Sequence, residues 1–162
     1  MLTSYSIKKL EALLTRGALP GQDAQKRLSP LDRPMYSAHD AERRAAVLIL
    51  LYPSGPAEEL HIPLILRPSD DLRHAGQIAL PGGMHEGDEA YPIETALRES
   101  REELGIDSGM VRLLGILTSL YIRVSGVSVA PVVAYAERQP DMTPDPSEVA
   151  AYFSVPVSQF MQ

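Results

Sequence analysis

The segment from Pro92 to Leu104 constrains the fold most strongly, because its pattern predicts an amphipathic helix with a clear beginning and end. Pro92 suits the first helical position, and Gly105 can end the helix in the left-handed conformation. Five residues at helical spacing form one mostly apolar stripe along the helix: Ile93, Ala96, Leu97, Ser100 and Leu104. This stripe is expected to pack against another element of the fold. The charged residues of the helix then lie on its opposite side.

Short apolar runs before and after this helix predict strands that can form its packing partner. The predicted strands cover residues 45–52, 61–67, 77–83, 111–122, 127–137 and 151–156. Another helix is predicted over 4–16, whereas 17–43 and 140–148 are predicted to be loops. This order indicates an α+β fold with a mixed sheet, in which 1–43 is a helix-and-loop extension and 44–162 is the main domain.

The composition excludes several kinds of protein. The 162 residues fit one domain, and none is cysteine, so disulfides, thiolate metal sites and cysteine nucleophiles are excluded. No apolar run approaches the roughly 18 residues of a membrane span, and the N-terminus lacks the pattern of a secretory signal. Nucleic-acid binding is not expected, because there is no basic stripe. The chain is therefore expected to be cytoplasmic, without a membrane partner.

The negative charge of the chain is concentrated in one segment. Seven acidic and two basic residues lie between Glu86 and Glu103, which gives −5 of the net charge of −6. Glu99 and Glu103 are four residues apart and project from one face of the predicted helix, with Glu102 beside them. Magnesium is typically bound by one or two such carboxylates, and the alternative is a solvated helix face with internal ion pairs.

Neighbouring residues are expected to complete a site around these acids. The backbone at Gly82 and Gly83 is expected to be exposed, with positive φ at Gly83, so that a phosphate or a metal could approach closely. Glu86 precedes the helix and can fold back towards the same face. Arg98 and Arg101 can pair with neighbouring acids and hold those side chains in place.

The segment from Gly83 to Ile106 resembles the Nudix box. That motif runs glycine, five residues, glutamate, seven residues, then Arg-Glu-apolar-x-Glu-Glu-x-Gly-apolar. This chain has Gly83, five residues, Glu89, eight residues and then RESREELGI over 98–106, with Ser100 at an apolar position. The spacer of eight residues is similar to the branch of the Nudix superfamily that cleaves coenzyme A.

The resemblance implies an α/β/α sandwich with a mixed central sheet and a site for Mg²⁺ or Mn²⁺. The implied metal ligands are Glu99, Glu103, Glu102, Glu86 and the carbonyl of Gly82. The implied catalytic residues are Glu102, Glu148 and Arg98. Glu148 matches an acid on a late loop of the family, where it could act as general base or metal ligand, and the alternative is an ordinary surface acid.

The sequence before the box, LILRPSDDLRHAGQIALPGG over 64–83, is similar to a second motif of the coenzyme A branch. The implied substrate-binding residues are Arg67, Arg73, His74, Gly82 and Gly83. Leu72-Arg73 stand one place later than in the family, and Leu80 replaces a phenylalanine. For the two arginines, phosphate contact and ion pairing with nearby acids both remain open. For His74, the alternative is a structural hydrogen bond.

The resemblance covers roughly residues 45–160, and the segment that follows in the branch is expected to be shortened here. It implies metal-dependent hydrolysis of a nucleoside diphosphate-linked pyrophosphate. The first expected substrate is coenzyme A or acyl-CoA, cleaved to adenosine 3′,5′-bisphosphate and (acyl)phosphopantetheine. The alternatives are a Nudix pyrophosphatase for ADP-ribose or a dinucleotide and, in a different class, a non-catalytic Nudix-fold binding module. The expected partner is a small-molecule nucleotide, and a homodimer remains open.

Overall fold

The computed structural model describes residues 4–17, 19–28, 43–69 and 76–161. The helices within these residues are α1 (Ser4–Thr15), α2 (Gly21–Leu28) and α3 (Ile93–Leu104). The strands are β1 (Arg43–Ser54), β2 (Glu59–Leu66), β3 (Ile78–Ala79), β4 (Gly82–Met84), β5 (Arg112–Ile116), β6 (Leu120–Ile122), β7 (Val127–Tyr135) and β8 (Ala151–Pro156). Short 3-10 turns cover Ser108–Met110 and Val157–Phe160.

The described strands form one mixed sheet of eight, in which the order β3-β2-β1-β7-β5 is the main path. β1 and β7 run parallel, from the pair Arg43 and Val127 to the pair Leu51 and Tyr135. β2 and β4 pair with β1 in the antiparallel sense, and β8 pairs with β2. The α+β class and the mixed sheet predicted from the sequence are therefore confirmed.

Alternating side chains of β1 supply the cores on the two faces of this sheet, because successive strand residues point in opposite directions. Leu48, Leu50 and Tyr52 are fully buried in the core beneath α3. Leu51 lies in the core on the other face, together with Ile7 of α1. Helices thus cover both faces, which is the sandwich that the resemblance implied.

α3 packs on β1 and β4 through the predicted stripe. Ala96 and Leu104 are fully buried, and the buried Ser100 hydroxyl donates to the carbonyl of Ala96, so no polar group is left unpaired. Pro92 caps the helix, which begins one residue later than predicted. Gly105 ends it with φ of 69°, as predicted.

The prediction of an unbroken loop over 17–43 is wrong for the described part, because α2 lies within it. α2 has no apolar stripe, so hydrophobic periodicity gave no signal. Its charges instead suit the helix dipole, with Asp23 in the first turn and Lys26 and Arg27 in the last. The Gln25 amide links α2 to the segment between β5 and β6, since it donates to the carbonyls of residues 118 and 119 at 3.1 and 3.3 Å.

Two predicted strands are divided in the structure. The strand predicted over 77–83 becomes β3 and β4, which pair with different neighbours, because Pro81 has no N–H with which to continue a ladder. The strand predicted over 111–122 becomes β5 and β6, with an irregularity between Leu113 and Gly115. No helix within the described residues is both long and apolar enough to cross a membrane.

Candidate active site

The chain turns from β3 into β4 at residues 81–83, which places the backbone of Gly82 and Gly83, the first residues of β4, against β1 and α3. Gly82 is buried with φ of 150°, and a Cβ there would lie 2.3 Å from the carbonyl oxygen of Ala46. Gly83 has no positive φ, but a Cβ there would lie 2.4 Å from the carboxyl carbon of Glu99. The expectation of an exposed turn with positive φ at Gly83 is therefore wrong: the positive φ belongs to Gly82, and Gly83 is required by the approach of Glu99.

Glu103 lies beneath this turn and is only 2% exposed. Its Oε2 accepts a hydrogen bond of 2.8 Å from the N–H of Gly82, and its Oε1 is 3.8 Å from Nη2 of Arg67. Burial raises the pKa of this carboxyl to about 7, despite the opposing effects of these two partners. The Gly82 backbone thus covers Glu103 and shields its carboxyl from solvent.

Glu99 lies next to Glu103 along the helix and contacts Gly83 on its other side. Its Oε1 is 3.0 Å from Nη2 of Arg98. Burial raises the pKa of Glu99, while Arg98 acts in the opposite direction. The negative charges of Glu102 and Glu148 raise it further. Burial and neighbouring negative charges therefore disfavour the ionised forms of Glu99 and Glu103 more than their hydrogen-bond and ion-pair partners favour them.

Arg98 joins the acids on the open side of α3. Its Nε donates to Glu89 Oε2 at 2.9 Å, and its Nη1 donates to Glu102 Oε2 at 2.8 Å. Nη2 donates to the carbonyl of Met84 at 2.9 Å, which attaches the guanidinium to β4. Glu102 is more open than its neighbours, with 44% of its side chain exposed. The predicted pairing of Arg98 with neighbouring acids is confirmed by these contacts.

Glu89 was not among the predicted site residues, although it occupies the glutamate position of the box. It lies in the loop before α3, nine residues from Arg98, so no helical spacing indicates their contact. Hydrogen bonding by Arg98 lowers the pKa of Glu89 to about 2, and the Glu86 N–H and the Thr95 hydroxyl act in the same direction. Glu89 is thus a fixed anion that supports the arginine.

The remaining predicted residues differ in how close they come to Glu99 and Glu103. Glu148 is exposed on the loop before β8, and its negative charge raises the pKa of both glutamates. Glu86 has an exposed side chain and contributes its backbone N–H to Glu89 at 2.9 Å.

Two basic positions and one histidine were predicted to bind substrate. Arg67 donates from Nη2 to the carbonyl of Gly82 at 3.2 Å, next to its contact with Glu103, so the described structure contains the ion-pairing alternative. Arg73 and His74 lie outside the described residues.

The carboxylates can be compared with the needs of a divalent cation. Within the described residues, no three His, Asp or Glu side chains are arranged as a ready-made metal site. Magnesium does not require one, because it keeps several waters and is held by one or two carboxylates together with substrate phosphates. The negative charges of Glu99 and Glu148 add to the effect of burial in raising the pKa of Glu103, and those of Glu102 and Glu148 do the same for Glu99. A cation would relieve this repulsion, so the residues fit a hard divalent metal.

Known proteins with similar sequences and structures indicate the family to which the chain belongs. The chain is 40% identical over 136 residues to an uncharacterized Nudix hydrolase, NudL, of Pectobacterium atrosepticum. The aligned region covers 83% of this chain and 66% of the relative. It is 35% identical over 142 residues to the peroxisomal coenzyme A diphosphatase ndx-8 of Caenorhabditis elegans, which covers 86% of this chain and 59% of the relative.

A solved structure gives the fold independently of close sequence similarity. The Nudix hydrolase RenU of M. smegmatis superposes with a TM-score of 0.61 at 23% identity, over 72% of each chain. The present chain spans less than two thirds of the length of the two curated relatives, at 66% and 59%. The NUDIX domain family matches residues 42–162, which include the glycine turn, α3 and the Glu148 loop. The chain therefore belongs to the NUDIX domain family.

Proposed function

We propose that this chain hydrolyses the pyrophosphate linkage of a nucleoside diphosphate compound with the help of Mg²⁺ or Mn²⁺. The observation that carries the proposal is the position of Glu103, buried under the Gly82 N–H with Glu99 and Glu148 close enough to raise its pKa. A protein gains nothing in stability from gathering like charges in this way. The arrangement is understandable if the folded chain binds a cation there.

Electrostatics explain why a pyrophosphate would not bind to the acids alone. At about 4 Å and an effective dielectric near 20, each pair of like unit charges costs about 4 kcal/mol. A bound divalent metal supplies charge neutralisation, polarised phosphoryl oxygens and a water of lowered pKa. Nudix hydrolases generally use divalent metal ions, which agrees with this need.

Each residue of the site has a distinct task in this proposal. Glu99 and Glu103 hold the metal, and Glu102 and Glu86 or the Gly82 carbonyl complete its surroundings. Arg98 contacts Glu89, Glu99 and Glu102, and so keeps the acidic side chains in fixed orientations.

Two further residues complete the site. The absence of a side chain at Gly83 leaves the room that the Glu99 carboxyl occupies. Glu148, exposed on its loop, accepts the proton of the attacking water as general base, or serves as a further metal ligand.

Coenzyme A or an acyl-CoA is the substrate that we propose. Support comes from the eight-residue spacer, from the motif over 64–83, and from the 35% identity to a coenzyme A diphosphatase. Water would add across the phosphorus–oxygen bond of the pyrophosphate, which gives adenosine 3′,5′-bisphosphate and phosphopantetheine or its acylated form. A cationic group near the site could then read the 3′-phosphate of the substrate through charge-assisted hydrogen bonds.

A substrate panel tests this proposal. The chain is incubated with coenzyme A, ADP-ribose or NADH, each with Mg²⁺, with Mn²⁺ or with EDTA, and the products are separated by chromatography. We expect metal-dependent release of adenosine 3′,5′-bisphosphate from coenzyme A, faster than turnover of the other two compounds. Preferential cleavage of ADP-ribose would refute coenzyme A as the substrate. Failure to cleave any of the three would refute the enzymatic proposal.

A further inference from the structure

A buried threonine lies behind the acids of α3. Thr95 has no exposed surface, and its hydroxyl donates to Glu89 Oε1 at 2.8 Å. Its Oγ1 is also 3.3 Å from Nδ1 of His85. Because the single hydroxyl proton is directed at the carboxylate, Thr95 can only accept from His85, which requires a proton on Nδ1 of that histidine. The hydroxyl is therefore fixed from both sides.

Glu89 connects the Thr95 hydroxyl to Arg98 through hydrogen bonds. Its Oε1 accepts from Thr95 and from the Glu86 N–H, while its Oε2 accepts from Nε of Arg98. Arg98 in turn contacts Glu99 at 3.0 Å and Glu102 at 2.8 Å. A continuous set of hydrogen bonds thus runs from a hydroxyl in the interior to two acids of the candidate metal site.

We propose that Thr95 is a positioning residue of this site, whose hydroxyl fixes Glu89 and thereby holds Arg98 against Glu99 and Glu102. The proposal rests on the proposed function only in that these acids are taken to bind a divalent metal. Thr95 touches neither metal nor substrate, and it acts through the orientation of Arg98. Partners at this distance from a metal tune its affinity because they limit the orientations that the ligands can adopt.

The two parts of the Thr95 side chain can be separated by substitution. Thr95→Val keeps the branched shape and removes the hydroxyl, whereas Thr95→Ser keeps the hydroxyl and removes a methyl group. A positioning role predicts that the valine variant loses function and that the serine variant resembles the parent. A packing role predicts the reverse, because a lost methyl group leaves a void in the core.

Binding of Mn²⁺ alone, measured by titration calorimetry and by its paramagnetic resonance signal, tests the proposal without catalysis. We expect Thr95→Val to weaken Mn²⁺ binding by about ten-fold, within the range for outer partners of metal sites. Thr95→Ser should stay close to the parent. Thr15→Val is a matched control, since the exposed Thr15 hydroxyl bonds to Glu11 and Ala12 of its own helix and to no other residue in the described part of the chain. Equal binding by Thr95→Val and the parent would overturn the proposal, and so would equal weakening by valine and serine.

A double substitution guards against a change that is merely structural. In a Glu89→Gln background, Thr95→Val should weaken Mn²⁺ binding little further, because its effect passes through Glu89. Additive losses would contradict this route, and the same comparison with Thr95→Ala serves if the valine variant does not fold. A parent that binds Mn²⁺ but cleaves no pyrophosphate would refute only the proposed function. A parent that binds no Mn²⁺ would refute both proposals.

Discussion

Two carboxylates of the box, Glu89 and Glu103, have opposite electrostatic surroundings although both are largely shielded from solvent. The side chain of Glu89 is 14% exposed, and hydrogen bonding to Arg98 lowers its pKa to about 2. Glu103 is 2% exposed, and burial raises its pKa to about 7. The difference lies in their donors, since Glu89 accepts from a guanidinium whereas Glu103 accepts from one backbone N–H.

This contrast separates a structural ion pair from a site with unbalanced charge. Glu89 and Arg98 neutralise each other and define the position of the helix start relative to β4. For Glu103, burial and the charges of Glu99 and Glu148 disfavour the ionised form more than the Gly82 N–H and Arg67 favour it. Strongly perturbed carboxylates with this combination of burial and like charge are typical of functional sites. The box therefore has a rigid half, formed by Glu89 and Arg98, and a second half, formed by Glu99 and Glu103, that is suited to binding a cation.

The largest expected effect follows removal of the Glu103 charge. Glu103→Gln should lower turnover by more than about a hundred-fold, because the loss of a metal ligand should exceed the effect of an outer partner. The amide oxygen can still accept the Gly82 N–H, and removal of a buried charge should leave the melting temperature unchanged or raised. Steady-state kinetics with saturating Mn²⁺ and thermal melting in EDTA measure the two effects.

Glu137→Gln is the matched control for this substitution, since Glu137 is an exposed acid that lies just after β7 and outside the box. It should behave as the parent in both measurements. If Glu103→Gln retained activity within a few-fold of the parent, the contrast between the two carboxylates would have no functional meaning. A large drop in its melting temperature would instead indicate that Glu103 is needed to hold the turn.

The two glycines of the turn should respond differently to alanine. Gly83→Ala places a methyl group where the Glu99 carboxyl lies, so activity should fall by about ten-fold or more while the fold persists. Gly82→Ala meets the Ala46 carbonyl at 2.3 Å with φ of 150°, so it should lower the melting temperature strongly. Melting curves and kinetics of both variants measure this division. Equal losses of activity and of melting temperature in the two variants would show that the two glycines do not have separate roles.

The comparison also shows which features of the site were predictable from the sequence. α3 was predicted because its stripe and its terminal Gly105 are local signals. The burial of Glu103 was not, because it depends on the Gly82 N–H, a contact between residues 21 positions apart in the chain. The contact of Glu89 with Arg98 was missed for the same kind of reason, since Glu89 lies in a loop rather than on the helix.

The fold shows the same limit on prediction. β1 was predicted because a continuous apolar run suits a strand buried on both faces. α2 was missed because it is anchored by the Gln25 amide and by charges at its ends, without an apolar stripe. The division of the strand over 77–83 was missed because the sequence does not state that its two halves have different partners. Local periodicity thus predicted which segments form helices and strands. Long-range polar contacts determined where these elements end and which neighbours they pair with.

Substrate recognition gives a smaller expected effect and tests how Arg67 is used. If coenzyme A is the substrate, a cation should read the 3′-phosphate that dephospho-coenzyme A lacks, which gives a preference of about ten-fold in kcat/KM. Arg67 already pairs with Glu103 and the Gly82 carbonyl, so Arg67→Ala should slow both substrates alike. Arg73→Ala is expected to reduce the preference itself. Equal rates of the parent on both substrates would refute recognition of the 3′-phosphate.

The smallest expected effect concerns the rigid half of the box and its dependence on pH. The pKa of Glu89 is lowered from 4.5 to about 2 in the folded chain, so its ionised form stabilises the fold above pH 4.5. That contribution should be lost as the pH falls from 4.5 towards 2, when the folded carboxyl takes up a proton. Glu89→Gln should therefore melt about 2–4 °C below the parent at pH 7, as expected for about 1 kcal/mol, and the gap should close in acid. Thermal melting in EDTA across this pH range measures the difference in melting temperature between the variant and the parent, with Glu137→Gln as control. A difference that does not change with pH would show that Glu89 stabilises the fold by shape rather than by charge.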